Sequence, residues 1–312
     1  MSLPALPPAP LIERLARVAP LGLRFWDPLT NSAVGPGLSV SAFLPAQPDQ
    51  AYPAVVNGAG VYVFHHLPAL QDLENGAGDH AYWRGLTERR AFRVEVRDPA
   101  GRFLPVSFAV PLPNQGLFSP DCAGILAAPL GPSSQVPLFS APTRQVPAGT
   151  AVLRAELHNL ADDQPVPWAV VQLTAGALPP LRGMSDADGQ VAVLFPYPEP
   201  QQLGAIAPTG PGNPVLVSTR RALTSQSWAV KLSVFAAPVT GPGSLGLSSK
   251  TAPDYCQVLK QLEGQPAKVW GSLTPQTPLG DQTLEYGKDL IVGTRQSPGD
   301  AFTLSKLLIT RA

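Results

Sequence analysis

The sequence predicts an all-β fold: two tandem β-sandwich domains, a proline-rich connection between them and a small C-terminal segment. Three observations carry this. Thirty-eight of the 312 residues are proline, far above the usual ~5%. Proline removes a backbone donor and clashes with the preceding helical turn, which excludes many long helices. Hydrophobic residues make up 44% of the chain, too many for a disordered proline-rich protein. Several stretches alternate apolar with polar residues, the period-two mark of a half-buried strand.

Taken in order, residues 1–20 (MSLPALPPAPLIERLARVAP) read as an arm or short helix, with Leu11, Ile12, Leu15 and Val18 on one helical face. The arm lacks the uninterrupted apolar run of an export leader, and no later stretch is long enough to span a bilayer. The first sandwich is expected over residues 21–112, from LSVSAFLP (38–45), the β-branched and aromatic run Tyr62 to Phe64, and FRVEVRDP (92–99). Residues 113–149 are dense in Pro, Gly and Ser with little periodicity, so they read as a long crossing. That crossing carries Leu117, Phe118, Ile125, Leu126, Leu138 and Phe139, too apolar for a free linker, and is expected to dock on the domains or on a partner.

The second sandwich is expected over residues 150–240, from AVLRAELHNL, WAVVQLTAG, QVAVLFPYP and SWAVKLSVF. All six lysines lie at or after position 231, whereas 14 of the 16 arginines precede it. This shift marks residues 241–312 as a separate C-terminal segment. It holds a short helix after Asp254, with Val258, Leu259 and Leu262 on one face, and candidate strands in QTLEYGKDLIVGT and SKLLITRA.

An internal echo links the two sandwiches. Asp98-Pro99-Ala100-Gly101 and Asp186-Ala187-Asp188-Gly189 each precede a polar residue, an apolar strand and a proline-punctuated exit. A calcium loop would need a closing Glu near position 12, where this chain has Tyr197. A type I turn, with Asp bonding its own backbone and Gly at the fourth position, accounts for both copies.

Chemistry is sparse. A formal net charge of zero, with 14% of residues charged, gives no sign of a nucleic-acid partner. Gly241-Pro242-Gly243-Ser244-Leu245-Gly246 matches the dinucleotide glycine pattern in letters, but no amphipathic helix follows, so a linker is expected. His65 and His66 are adjacent and would face opposite ways on a strand. With His80 they are the nearest approach to a metal or acid-base cluster, and His158 stands apart. Asp162-Asp163 sits in a turn. Cys122 and Cys256 fit no zinc spacing, and whether they meet is left open, with separate thiols the favoured reading. No G-x-S-x-G elbow is present. The expected catalytic, metal and cofactor residues are none.

Aromatic and apolar residues are the remaining lead. Trp168 and Trp228 sit in alternating stretches and are expected in the sandwich core. Trp26, Tyr82, Trp83, Arg84, Leu117, Phe118, Leu138 and Phe139 are the candidate interface residues, since Trp and Tyr are enriched among interface anchors.

From about Ala151 to Phe235 the chain resembles a carboxypeptidase regulatory-like (transthyretin-like) β-sandwich, on AVLRAEL, PVPWAVVQL and MSDADGQVAVLFPYP. The resemblance implies an Ig/transthyretin-like module for scaffolding or binding. The whole chain is similar to accessory structural proteins of phage-tail-like contractile injection systems, on RFWDPLTNSAVGPGLSV, GVYVFHHLPAL, GRFLPVSF, PLFSAPTRQVPAG and FPYPEP. That likeness implies a non-catalytic subunit at the cap, baseplate or spike of a particle. It is expected to be cytoplasmic, within an assembled particle that is either released or membrane-anchored, with sheath, tube, baseplate or cap proteins as partners, no nucleic acid and no direct membrane insertion. A carbohydrate-binding or adhesin module using Trp26 and Trp83 is the alternative, and a hydrolase or metal-dependent enzyme the second.

Overall fold

A computed structural model describes residues 18–74, 89–114, 116–122, 134–200, 223–238, 243–248, 251–300 and 303–311. The fold is all-β, and its strands fall into two sandwiches. The expected N-terminal helix, Ile125, Leu126 and the linker's first glycine lie outside the described residues.

The first sandwich is built from β1 (Leu21–Leu23), β2 (Phe25–Asp27), β3 (Ser32–Ala33), β4 (Ser39–Leu44), β5 (Gln47–Pro53), β6 (Val55–Val56), β7 (Tyr62–Phe64), β8 (Arg90–Arg97), β9 (Val106–Leu112), β10 (Leu117–Phe118) and β11 (Val136–Pro137). One sheet has the order β5-β4-β8-β9, and the other layer is made of β10-β1-β7-β6 and β11-β2-β3. The alternation works as the sequence requires. Phe92, Val94 and Val96 of β8 point inward while Arg93 and Arg97 stay outside. Phe25, Phe64, Phe92 and Phe108 are fully buried, each worth about 1.5–3 kcal/mol of apolar burial. The edge strand β5 is exposed, and Pro48, Asp49 and Pro53 make it a poor template for another chain.

The crossing does not merely lie on this sandwich. It extends the sheets: β10 pairs parallel to β1, and β11 pairs parallel to β2. A buried ion pair fastens its end, with Arg144 donating to both Asp27 oxygens, Nη1 to Oδ1 at 3.0 Å and Nη2 to Oδ2 at 2.5 Å. Burial pushes the Asp27 carboxyl up, but Arg144, the Thr30 hydroxyl and the Leu29 N–H together hold it below its ordinary value.

The second sandwich contains β12 (Thr150–Asn159), β13 (Val170–Ala175), β14 (Leu181–Met184), β15 (Gln190–Pro196), β16 (Ser227–Phe235), β17 (Lys268–Leu273), β18 (Gln276–Pro278), β19 (Gln282–Glu285), β20 (Leu290–Ile291) and β21 (Leu307–Thr310). Its sheets have the orders β14-β13-β16-β19 and β15-β12-β21-β17-β18, with β20 also on β12. The C-terminal strands are therefore integral here and not a separate segment. β19 pairs antiparallel to β16 with Leu284 opposite Trp228, and β21 pairs parallel to β12 with Leu307 opposite Leu157. Leu284, Leu307 and Ile309 are fully buried in the same core as Leu153 and Phe195. Sheet pairing is decided by contacts far apart in sequence, which a shift in charge composition does not report.

The two sandwiches share apolar contact. Trp168, Val170 and Met184 of the second belong to the first domain's core, together with Tyr255, Val258 and Leu259 of the short helix Tyr255–Lys260. The Asp254 carboxylate caps that helix by accepting from Gln257 N–H at 3.0 Å, as expected. The preceding residues cover the β9 edge, where Ser107 N–H donates to Pro253 O at 2.8 Å. Cys256 is disulfide-bonded to Cys122 in the crossing, against the favoured reading of separate thiols. A sequence separation of 134 residues hides such a meeting from any local pattern.

Candidate functional site

The candidate interface residues that the structure describes differ in exposure. Trp26 is half-buried on β2, opposite Pro137 of β11. Leu117 and Phe118 are half-buried on β10, and the Phe118 ring stacks on Phe108 with centroids 6.0 Å apart. Leu138 and Phe139 are only 2% and 4% exposed and belong to the chain's own core. Phe139 packs on Tyr255 with centroids 6.2 Å apart. Tyr82, Trp83, Arg84 and His80 lie outside the described residues.

The titratable groups that drew attention in the sequence hold local structure. His65 and His66 do come together, on the buried carboxylate of Glu74, with Nδ1 to Oε2 distances of 3.6 and 4.0 Å. His66 has a φ of 58°, and this left-handed turn brings both rings to one side. A strand would have sent them apart. Among the described residues no group of three metal-ligating side chains is arranged to hold an ion. His158 is pinned between Glu156 Oε1 at 2.8 Å and the Asp163 carbonyl at 2.9 Å. Asp163 in turn binds Lys306 Nζ at 2.6 Å, and Lys306 is the main cause of its lowered pKa. Asp162 accepts from Gln164 N–H at 3.2 Å, which makes the acidic pair turn chemistry.

Trp228 lies in the second core as expected. Trp168 does not sit in a strand. It occupies a left-handed turn before β13 with a φ of 58°, an uncommon position for a bulky residue. There it turns into the first domain's core, its Nε1 donating to Ser248 O at 2.8 Å and its carbonyl accepting from Gln261 Nε2 at 2.7 Å.

The site that sequence reasoning missed is a cleft of about 440 Å³ between the sandwiches. Leu29, Pro137 and Phe139 form one side, and Leu181, Leu194 and Pro196 the other. Five of its fourteen lining residues are proline, so its walls have little freedom to collapse. Arg182 is the one charged residue among those lining it. Its Nε donates to Gln172 Oε1 at 3.3 Å, and no carboxylate pairs with it among the described residues. Burial lowers the Arg182 pKa, with Tyr255 opposing. No sequence signal announces this site, because its walls come from positions near 29, 138, 182 and 194.

No family model and no curated protein sequence matches the chain. Similar solved structures include the TIE protein of Bacillus anthracis, at 10% identity and a TM-score of 0.21. That match covers 89% of this chain and 33% of the other, so this chain spans about a third of it. The shaft pilin SpaA of Lactobacillus rhamnosus GG, solved as a point mutant, matches at 9% identity and a TM-score of 0.23, covering 94% and 98% of the two chains. The minor pilin GBS52 of Streptococcus agalactiae matches at 11% identity and 0.21, covering 91% and 99%. Likeness at this level supplies no argument about function. Among the described residues no helix is long and apolar enough to cross a membrane.

Proposed function

We propose that the chain is a non-catalytic structural subunit that binds neighbouring subunits of a large particle. The observation that supports this most is the continuity of the two sandwiches through Trp168, Val170, Met184 and the Tyr255–Lys260 helix. A body fastened in this way holds its outer faces at fixed relative positions, which is what an assembly element needs. The side chains that catalysis would draw on support it too: Asp27, Asp98, His158 and Asp186 are each bonded within the fold. Half-exposed Trp26, Leu117 and Phe118 are the contact residues we assign on the described surface.

The particle we propose is of the phage-tail-like contractile injection kind, on the sequence resemblance alone. The Cys122–Cys256 disulfide favours an oxidising setting for the assembled subunit over the reducing cytoplasm. The test is the native size of the tagged protein in a gentle lysate of its host, with mass spectrometry of what travels with it. Co-migration with a megadalton particle carrying sheath-like and tube-like subunits is the expected result. A partner-free monomer at 32.8 kDa would sink the proposal.

A further inference from the structure

We propose that the cleft between the sandwiches binds a small apolar carboxylate, with Arg182 as the residue that recognises its charged end. The argument begins with size. About 440 Å³ lies within the usual range of small-molecule sites, which favour domain junctions and apolar walls with few polar groups. The walls are Leu29, Pro137, Phe139, Leu181, Leu194 and Pro196, which offer contact area to an aryl or alkyl body and no hydrogen-bond partner from their side chains.

Charge sets the other end of the ligand. Arg182 is half-buried among the residues lining these apolar walls, and no counter-charge pairs with it among the described residues, so a bound anion would meet a charge that the fold itself leaves uncompensated. Asp27, Asp98, Asp163 and Asp289 each have a cationic partner. Arg182 instead has only the neutral Gln172 on its Nε, and its terminal Nη groups make no hydrogen bond among the described residues. Those two groups present the planar fork that a carboxylate fills with two parallel hydrogen bonds. A monoanion balances the single positive charge. A phosphate dianion would leave one charge uncompensated against proline and leucine.

The Gln172 contact orients the fork, because Gln172 stands opposite Arg182 in the β13–β14 register. Phe139, on the first-domain side of the cleft, is backed by the Tyr255 ring, with centroids 6.2 Å apart. The site does not depend on the assembly reading: a monomer that binds the carboxylate and a particle subunit that does not are both distinguishable outcomes.

The test uses the oxidised full chain, with calorimetric and NMR titration by 4-phenylbutyrate and by its neutral amide. The acid is expected to bind at least about tenfold more tightly than the amide, the margin of one charge-assisted contact. R182Q, verified as folded by near-UV circular dichroism, is expected to abolish that preference, and R182K to keep part of it. L194W, which fills the cleft, is expected to weaken acid and amide together. Equal binding of acid and amide to the native chain would overturn the proposal, as would an undiminished preference in R182Q. Failure of the acid to perturb resonances lining the cleft would overturn it as well.

Discussion

The turns at Asp98 and Asp186 share one four-residue plan and differ in what surrounds them. In both, the Asp carbonyl accepts from the Gly N–H three residues on, at 3.0 Å for Gly101 and 3.3 Å for Gly189. In both, the carboxylate accepts two further backbone N–H groups, from Ala100 and Arg102 in one and from Asp188 and Gln190 in the other. Beyond this the copies part. Asp98 also holds the Arg102 guanidinium, with Nε at 2.9 Å. Asp186 has no such cation among the described residues and has Asp188 for a neighbour. Gly101 has a φ of 67° and room around it, whereas a Cβ on Gly189 would lie 2.5 Å from the Leu157 carbonyl oxygen. A turn motif thus fixes local geometry, and the packing on it fixes what each residue is worth.

The largest expected effect separates the glycines. Gly189→Ala meets left-handed strain of about 1–2 kcal/mol and a backbone clash that adds about 1–3 kcal/mol. Gly101→Ala meets the strain and only a 3.4 Å contact to Thr143 Oγ1. Urea unfolding should show Gly189→Ala as the more damaging by about 2 kcal/mol. Equal losses would mean that the two turns are packed alike.

A smaller effect separates the aspartates. Asp98→Asn at pH 7 removes the Arg102 pair and should cost about 1 kcal/mol, discounted because Arg102 is 42% exposed. Asp186→Asn keeps an oxygen for both N–H groups and loses only a poorly placed charge, so its stability should change by less than about 0.5 kcal/mol. A larger loss for Asn at 186 than at 98 would reverse the comparison.

The pH dependence is the smallest and sharpest test. Burial raises the Asp98 carboxyl, but Arg102 and the two backbone N–H groups outweigh it and leave the pKa lowered. Asp98 therefore contributes stability above the ordinary value of 3.8 and loses it as pH falls through its folded pKa. For Asp186, burial is the dominant influence, and it leaves the pKa raised from 3.8 despite Gln190 and Asp188 N–H. Its ionisation costs stability as pH rises from 3.8 through the folded pKa, and acid relieves that cost. Asp98→Asn should flatten the acid side of the stability curve, and Asp186→Asn should steepen it. Changes of the same sign in both variants would contradict the assignment.

These contrasts also mark what was legible in the sequence. The turns were, because an Asp–Gly pair three apart carries its own hydrogen-bond chemistry. So were β4, β8, β12, β13, β15 and β16, whose alternation is local, and the Asp254 cap. The parallel strands β10 and β11 were not, because two-residue strands in a proline-rich crossing have no period. The stretches holding β19, β20 and β21 were visible, but their partners were not, since pairing Leu307 with Leu157 spans half the chain. Trp168 read as a strand residue until its left-handed turn put it in the other domain. The Arg182 cleft has no local pattern at all.

The central claim is that the two sandwiches form one unit, and calorimetric unfolding of the oxidised full chain tests it most directly. Because Trp168, Val170 and Met184 pack in the first core, the account predicts a single cooperative transition whose calorimetric and van't Hoff enthalpies agree. Two separated transitions, one for each sandwich, would contradict it.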